Sequence, residues 1–194
     1  MHSKKSRDIF SQIIETNPTK LDHRQVLKAA CLETPLGPML AISDEKSLFL
    51  LEFIDRKEVE REVERLRQRT KSTITPGVTP VIDSIEKELS QYFDGTLTTF
   101  KTPLADFGSP FQKTVWNALR KIPIGETRSY ADIAKFIERP TAFRAVAQAN
   151  GSNQIVIVIP CHRVINTNGD LGGYSSGLSR KKWLLNHEQS KVLT

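Results

Sequence analysis

The stretch Ile155-Val156-Ile157-Val158-Ile159-Pro160-Cys161-His162-Arg163-Val164 decides how this chain is read. Five consecutive β-branched aliphatics predict a short, fully buried strand. Pro160 lacks a backbone donor and ends the pairing. A cysteine and then a histidine follow, so a thiol is delivered at the lip of the core beside a titratable imidazole. The thiolate is the nucleophilic form of cysteine, and a neighbouring base or cation is what produces it near neutral pH. Buried cysteines are also common as inert packing, and the dipeptide alone leaves both readings open.

Working outward, 194 residues suffice for one large domain or two small ones. The 28 Lys+Arg against 22 Asp+Glu leave a charge of +6, which permits a polyanionic partner without requiring one. Cys31 and Cys161 allow one disulfide by parity. No apolar h-region follows Lys4, Lys5 and Arg7, so no signal peptide is expected. No apolar run approaches the ~18 residues of a membrane span. The expected compartment is therefore a reducing cytoplasm (or nucleus, in a eukaryote), with both thiols free. His2, His23, His162 and His187 are scattered, and no Cys/His set has zinc spacing, so neither a metal nor another cofactor is expected.

Residues 1–25 are polar apart from Phe10, Ile13 and Ile14, and read as a loosely held extension with one short helix at most. Residues 26–105 read as a small α/β domain. Runs at 26–32, 39–42 and 47–53, separated by turn-forming clusters, predict an antiparallel meander. Residues 56–71 switch to helical period, with Val59, Val63 and Leu66 as a thin stripe in a charge-laced, solvated face. Residues 71–80 read as a loop. Val81, Ile85, Leu89 and Tyr92 mark a second helix stopped by Asp94-Gly95, and 97–104 a last strand-like piece.

From 106 to 194 the pattern is mainly helical. Ser109-Pro110-Phe111-Gln112 is a helix start with a capping box, and Phe111, Val115, Ala118 and Leu119 form its inner stripe. Ser129 caps the next helix with Asp132 three residues later, and Ile133, Phe136 and Ile137 face inward. Thr141 caps a third, alanine-rich helix closed by Gly151. Two short helices joined by a tight turn form a helix-turn-helix pattern, which serves either helix packing or DNA contact. Arg144 in the first turn is not favoured by the helix dipole and points to a contact outside the protein. Glycines 172, 173 and 177 around Tyr174 make a loop whose backbone can approach a ligand. Ser179 to His187 form a last helix with Trp183 and Leu184 inward and Glu188 at its end.

Taken together, Pro160-Cys161-His162-Arg163-Val164, Ile122-Pro123 to Tyr130, Arg144-Ala145-Val146-Ala147, Asn150 to Asn153, and Gly172-Gly173-Tyr174-Ser175 with Trp183-Leu184-Leu185 and Glu188 resemble the O6-alkylguanine-DNA alkyltransferase family. The resemblance implies an α/β N-terminal domain, a ribonuclease H-like roll, followed by a mainly helical, winged helix-turn-helix-like C-terminal domain. It implies direct repair of double-stranded DNA. An alkylated guanine is flipped out through the minor groove, and its O6-alkyl group (or that on O4 of thymine) passes irreversibly to Cys161, once per molecule. His162 would take the thiol proton through a water, Glu188 would hold the imidazole tautomer, and Tyr130 would act on the leaving guanine. Arg144 would fill the vacated stack, with Thr141, Ala142, Phe143 and Tyr130 also against DNA. Asn153, Val164, Tyr174 and Ser175 would form the substrate pocket, Asn153 tying the turn after the recognition helix to the cysteine loop. No cofactor, no metal, no membrane and a monomer are implied. Phe143 departs from the small residue usual at its position, and Gln154 and Val156 from prolines found in other members. The rival readings are an alkyltransferase-like or regulatory helix-turn-helix protein that transfers nothing, and a cysteine hydrolase using Cys161, His162 and Glu188.

Overall fold

A computed structural model describes residues 2–15 and 25–192. The chain divides into two compact units, Met1–Ala105 and Asp106–Thr194.

In the first unit, β1 (Gln25–Leu32), β2 (Met39–Ser43) and β3 (Leu48–Phe53) form the expected antiparallel meander. Gly37, at φ 111°, supplies the first turn, and the Asp44 carboxylate takes the amides of Lys46 and Ser47 in the second. A fourth strand, β4 (Ser72–Pro76), pairs parallel to β1 and completes the order β3-β2-β1-β4. This segment was expected to be a loop. Thr73, Ile74 and Thr75 carry the β-branched signal, and Pro76 is tolerated because it closes an edge strand.

Helix α2 (Val59–Thr70) packs on β3 and β4, and α3 (Pro80–Asp94) on β2. The charged face of α2 is less solvated than its composition suggests: Glu62 and Arg67 are buried. Arg56 bridges Glu52 at 2.7 Å and Glu62 at 3.0 Å. Thr79 caps α3 by accepting from Ile82 N, and Gly95 ends it in a left-handed conformation. Residues 97–104 are not a strand, because the Glu88 carboxylate takes the amides of Lys101 and Thr102 and only Leu104 bridges to Leu48. Part of the polar extension is an ordered helix, α1 (His2–Glu15), with Ile13 and Ile14 buried and Ile14 O accepting from Arg67 Nη2 at 2.7 Å.

The second unit holds α4 (Pro110–Leu119), β5 (Arg128–Ser129), α5 (Tyr130–Phe136), α6 (Phe143–Gly151), β6 (Val164–Ile165) and α7 (Leu178–Val192). Both expected capping boxes are present, Ser109 with Gln112 and Ser129 with Asp132. Helices α4, α5 and α6 pack on one another through Val115, Leu119, Ile133, Ala134, Val146 and Ala149. β5 and β6 pair in parallel as a small wing. Gly108 is required at the start: a Cβ there would lie 2.6 Å from the Trp116 ring. Three expectations fail. Ala142, not Thr141, is the N-cap of α6: its amide closes a turn onto Arg139 O, which starts the helix one residue later, and its methyl side chain has no acceptor to make a cap bond. Phe136 is 58% exposed and lies under the Lys121 ammonium, and Trp183 is 38% exposed and stacks on His187. Both rings are held by surface partners instead of the core. Among the described residues no helix is long and apolar enough to cross a membrane.

Candidate active site

Cys161 opens a single 3₁₀ turn, Cys161–Arg163, and is buried. The five aliphatics before it are buried too, but they do not form the expected strand. They fold into a tight turn bridged from Val156 to Ile159, with Ile157 at φ 72°. Asn153 is the cause. Its Oδ1 accepts from Ile155 N at 3.0 Å, and its Nδ2 donates to Ile159 O at 2.9 Å and to Cys161 Sγ at 3.1 Å. One buried amide replaces the ladder partners that a strand would need. A β-branched residue in the left-handed region persists only where its surroundings over-determine it, and here both ends of the turn are tied to one side chain.

The two residues that follow the thiol in the chain belong to a buried ionic cluster. His162 Nε2 and Glu188 Oε1 are 2.7 Å apart, and both residues are fully enclosed. Arg163 donates to the same carboxylate through Nε at 2.8 Å and Nη2 at 2.9 Å, and through Nη1 to Ile122 O at 2.6 Å. Gly125 N adds a fourth donor to Glu188 at 3.3 Å. Burial works to raise the Glu188 pKa, but the hydrogen bonds and charges of His162 and Arg163 outweigh it and hold the carboxyl well below the usual range. Burial lowers the His162 pKa despite the pull of Glu188. The imidazole is therefore neutral near pH 7, with its proton on the nitrogen facing Glu188. Its Nδ1 is buried and has no hydrogen-bond partner among the described residues.

In front of the thiol is a cavity of about 570 Å³ lined by Cys161, Tyr130, Phe143, Arg144, Tyr174 and Ser175, among others. Tyr130 is the first residue of α5 and Arg144 the second of α6, so the helix-turn-helix sets both at the mouth. Burial, and then the Cys161 charge, raise the Tyr130 pKa, so its hydroxyl keeps its proton. Gly172, at φ 64°, lets the chain pass close to that hydroxyl: a Cβ would lie 3.3 Å from it. Asn153 and Val164, expected to line the pocket, are buried and are not among the residues that line it. Thr141 is exposed and Ala142 half-buried, and neither reaches the cavity.

Two functional side chains went unread in the sequence. Arg163 counted only as part of the Pro-Cys-His-Arg run. Lys181, fully buried, donates from Nζ to the carbonyls of Val164 at 2.6 Å and Gly173 at 3.3 Å, and also to that of Leu171. Burial lowers its pKa to about 8, opposed by the Cys161 charge. The periodicity of α7 contains the signal: Lys181, Leu184, Leu185 and Glu188 share one face.

A thiol lining a cavity between the helices of a helix-turn-helix, and followed in the chain by the histidine of a buried imidazole–carboxylate pair, defines a cysteine-nucleophile protein on a nucleic-acid-binding scaffold. Comparison with known proteins specifies the family. Residues 110–190 match 6-O-methylguanine DNA methyltransferase, DNA binding domain, and residues 27–105 its ribonuclease-like domain. A methylated-DNA–protein-cysteine methyltransferase of Methanosarcina acetivorans is 43% identical over 169 residues, covering 83% of this chain and 97% of its own. One of Shigella flexneri is 43% identical over 166 residues, covering 81% and 92%. The Mycobacterium tuberculosis OGT solved in complex with DNA superposes with a TM-score of 0.71 at 38% identity, over 86% of this chain and 94% of its own. The chain belongs to the 6-O-methylguanine DNA methyltransferase family.

Proposed function

We propose that this protein repairs double-stranded DNA by moving the alkyl group of an O6-alkylguanine onto Cys161, once per molecule, in the cytoplasm. The observation that carries this reading is that Cys161 lines the cavity and accepts from Asn153 Nδ2, while the next two residues, His162 and Arg163, are both bound to the buried Glu188 carboxylate. Neutral His162 takes the thiol proton on Nδ1, directly or through a water, while Glu188 fixes the tautomer and stabilises the imidazolium. The Asn153 amide favours the thiolate by a charge-assisted hydrogen bond. Sγ then bonds to the alkyl carbon as the carbon–O6 bond breaks. The released electron pair passes into the guanine ring, which takes up a proton with help from the Tyr130 hydroxyl. The thioether has no leaving group that water can displace, so the protein is spent.

Residues 106–194 would carry the chemistry and the DNA contacts. Arg144 enters the stack, Thr141, Ala142 and Phe143 sit against the duplex, and Tyr174 and Ser175 enclose the flipped base, with Asn153 and Val164 supporting the pocket wall. The mild positive charge assists through phosphate contacts. The test is intact-mass and peptide mass spectrometry after mixing with a duplex containing one O6-methylguanine. The expected product is a single added methyl group on Cys161, absent in Cys161→Ala. A methyl group on any other residue, or none, overturns the proposal.

A further inference from the structure

Phe143 is a large apolar side chain held in the open. Its ring is 45% exposed at the first position of α6, beside the exposed Ala145 and the half-buried Ala142. The buried positions of that helix are Val146, Ala149 and Asn150; Phe143 shares the face of Val146 and Asn150 by spacing, but at the helix start its ring stays out of the core. The ring lines the same cavity as Cys161 and Tyr130. The Arg144 guanidinium lies over it, 5.8 Å from the ring centre. An isolated exposed phenylalanine needs no explanation. One that stands at the mouth of a reactive cavity, carrying a cation on its face, does.

We propose that Phe143 is the stacking wedge of this protein: its ring packs on the base pair next to the extruded guanine and holds the Arg144 guanidinium in the vacated space. The inference rests on the repair reading given above and adds a residue that sets its efficiency on duplex DNA. Apolar side chains inserted between base steps offset the cost of unstacking, and an aromatic face stacks on any base. The cation–π contact orients Arg144 before DNA arrives, so less side-chain freedom is lost on binding. The two residues then act as one unit, the ring supplying stacking and the guanidinium supplying hydrogen bonds to the orphaned base or the backbone.

The experiment compares single-turnover rates on a duplex with one O6-methylguanine and on free O6-benzylguanine, for Phe143→Ala, Phe143→Leu and Phe143→Trp. The free base has nothing to unstack, so the duplex-to-free-base rate ratio isolates the wedge and cancels any general loss of active protein. The expected result is a ratio about tenfold lower in Phe143→Ala, as for loss of one base–aromatic stack. Phe143→Leu should stay low, and Phe143→Trp should recover to within about threefold of the unsubstituted protein. An unmoved ratio in Phe143→Ala overturns the inference, as does full recovery in Phe143→Leu, which would make the ring a space-filler. Failure of the unsubstituted protein to react with either substrate would instead overturn the repair reading itself.

Discussion

Replacing Glu188 by Gln keeps the shape of the side chain and removes its charge, and the structure sets the size of the response. Glu188 is fully buried and accepts from His162, from two nitrogens of Arg163 and from Gly125 N. In the variant the Arg163 guanidinium, buried with it, loses its counter-ion. Removing one partner of a buried pair costs about 3–5 kcal/mol, a large share of the ~5–15 kcal/mol by which a domain is stable. The melting temperature should fall by at least ~10 °C at neutral pH. The Glu188 pKa is depressed in the folded state, so its contribution is full above the unfolded value of about 4.3 and is lost as the pH falls below it. The gap between the two proteins should therefore close in acid. Catalytically, the imidazolium formed at His162 loses its stabilising anion. Alkylation of Cys161 should slow by about 10²-fold or more, and its pH profile should move to higher pH. The double variant Arg163→Met/Glu188→Gln removes both charges and should recover most of the stability but none of the rate. Stopped-flow reaction with O6-benzylguanine across pH 6–9.5, beside thermal melts, reads both effects. A folded Glu188→Gln protein with an unshifted pH profile would refute the reasoning and leave Glu188 a purely structural counter-ion for Arg163.

Other substitutions separate the remaining roles. Asn153→Ala removes the donor to Cys161 Sγ at 3.1 Å and the tie to Ile159 O at 2.9 Å; it should cost about 1–3 kcal/mol in denaturant melts and slow alkylation by about tenfold or more. Arg144→Ala should slow reaction with duplex DNA far more than reaction with free O6-benzylguanine, whereas Tyr130→Phe should slow both, as single-turnover rates on the two substrates would tell. Thr79→Ala deletes the α3 cap and the partner of Ser43 Oγ at 2.6 Å; urea titration should show a loss of about 1–2 kcal/mol that Thr79→Ser largely restores.

The meander and both capping boxes were legible because each rests on local grammar. Hydrophobic runs between turn formers mark β1 to β3, and Ser109 with Gln112 and Ser129 with Asp132 carry their own hydrogen-bond partners three residues away. What the sequence misled on was decided by single side chains from elsewhere. Ile155 to Ile159 have strand composition, yet Asn153 folds them into a turn. Residues 97–104 lose their ladder to the Glu88 carboxylate. Of the candidate site residues, Cys161 and His162 are legible in the aliphatic-Pro-Cys-His run and Arg144 in its place against the helix dipole, Glu188 and Tyr130 take their roles from motif resemblance, and the geometry brings Cys161, Tyr130 and Arg144 to one cavity. Lys181 and Arg163 were missed because a charged residue reads as solvated until its partners are known. Burying each required a specific acceptor set: three backbone carbonyls for Lys181, and the Glu188 carboxylate with Ile122 O for Arg163. No local pattern contains those partners, although the inner face of α7 already held Lys181 and Glu188 in register.

The central claim is that Cys161 is both nucleophile and final acceptor. The measurement that tests it most directly is a time course of methyl transfer from excess O6-methylguanine duplex, counted per molecule of protein. The account predicts a rapid rise to a plateau at about one methyl group per protein, with the protein then inert to fresh DNA. Continued transfer or release past that plateau would contradict it, and would make the cysteine, histidine and glutamate the parts of a hydrolase.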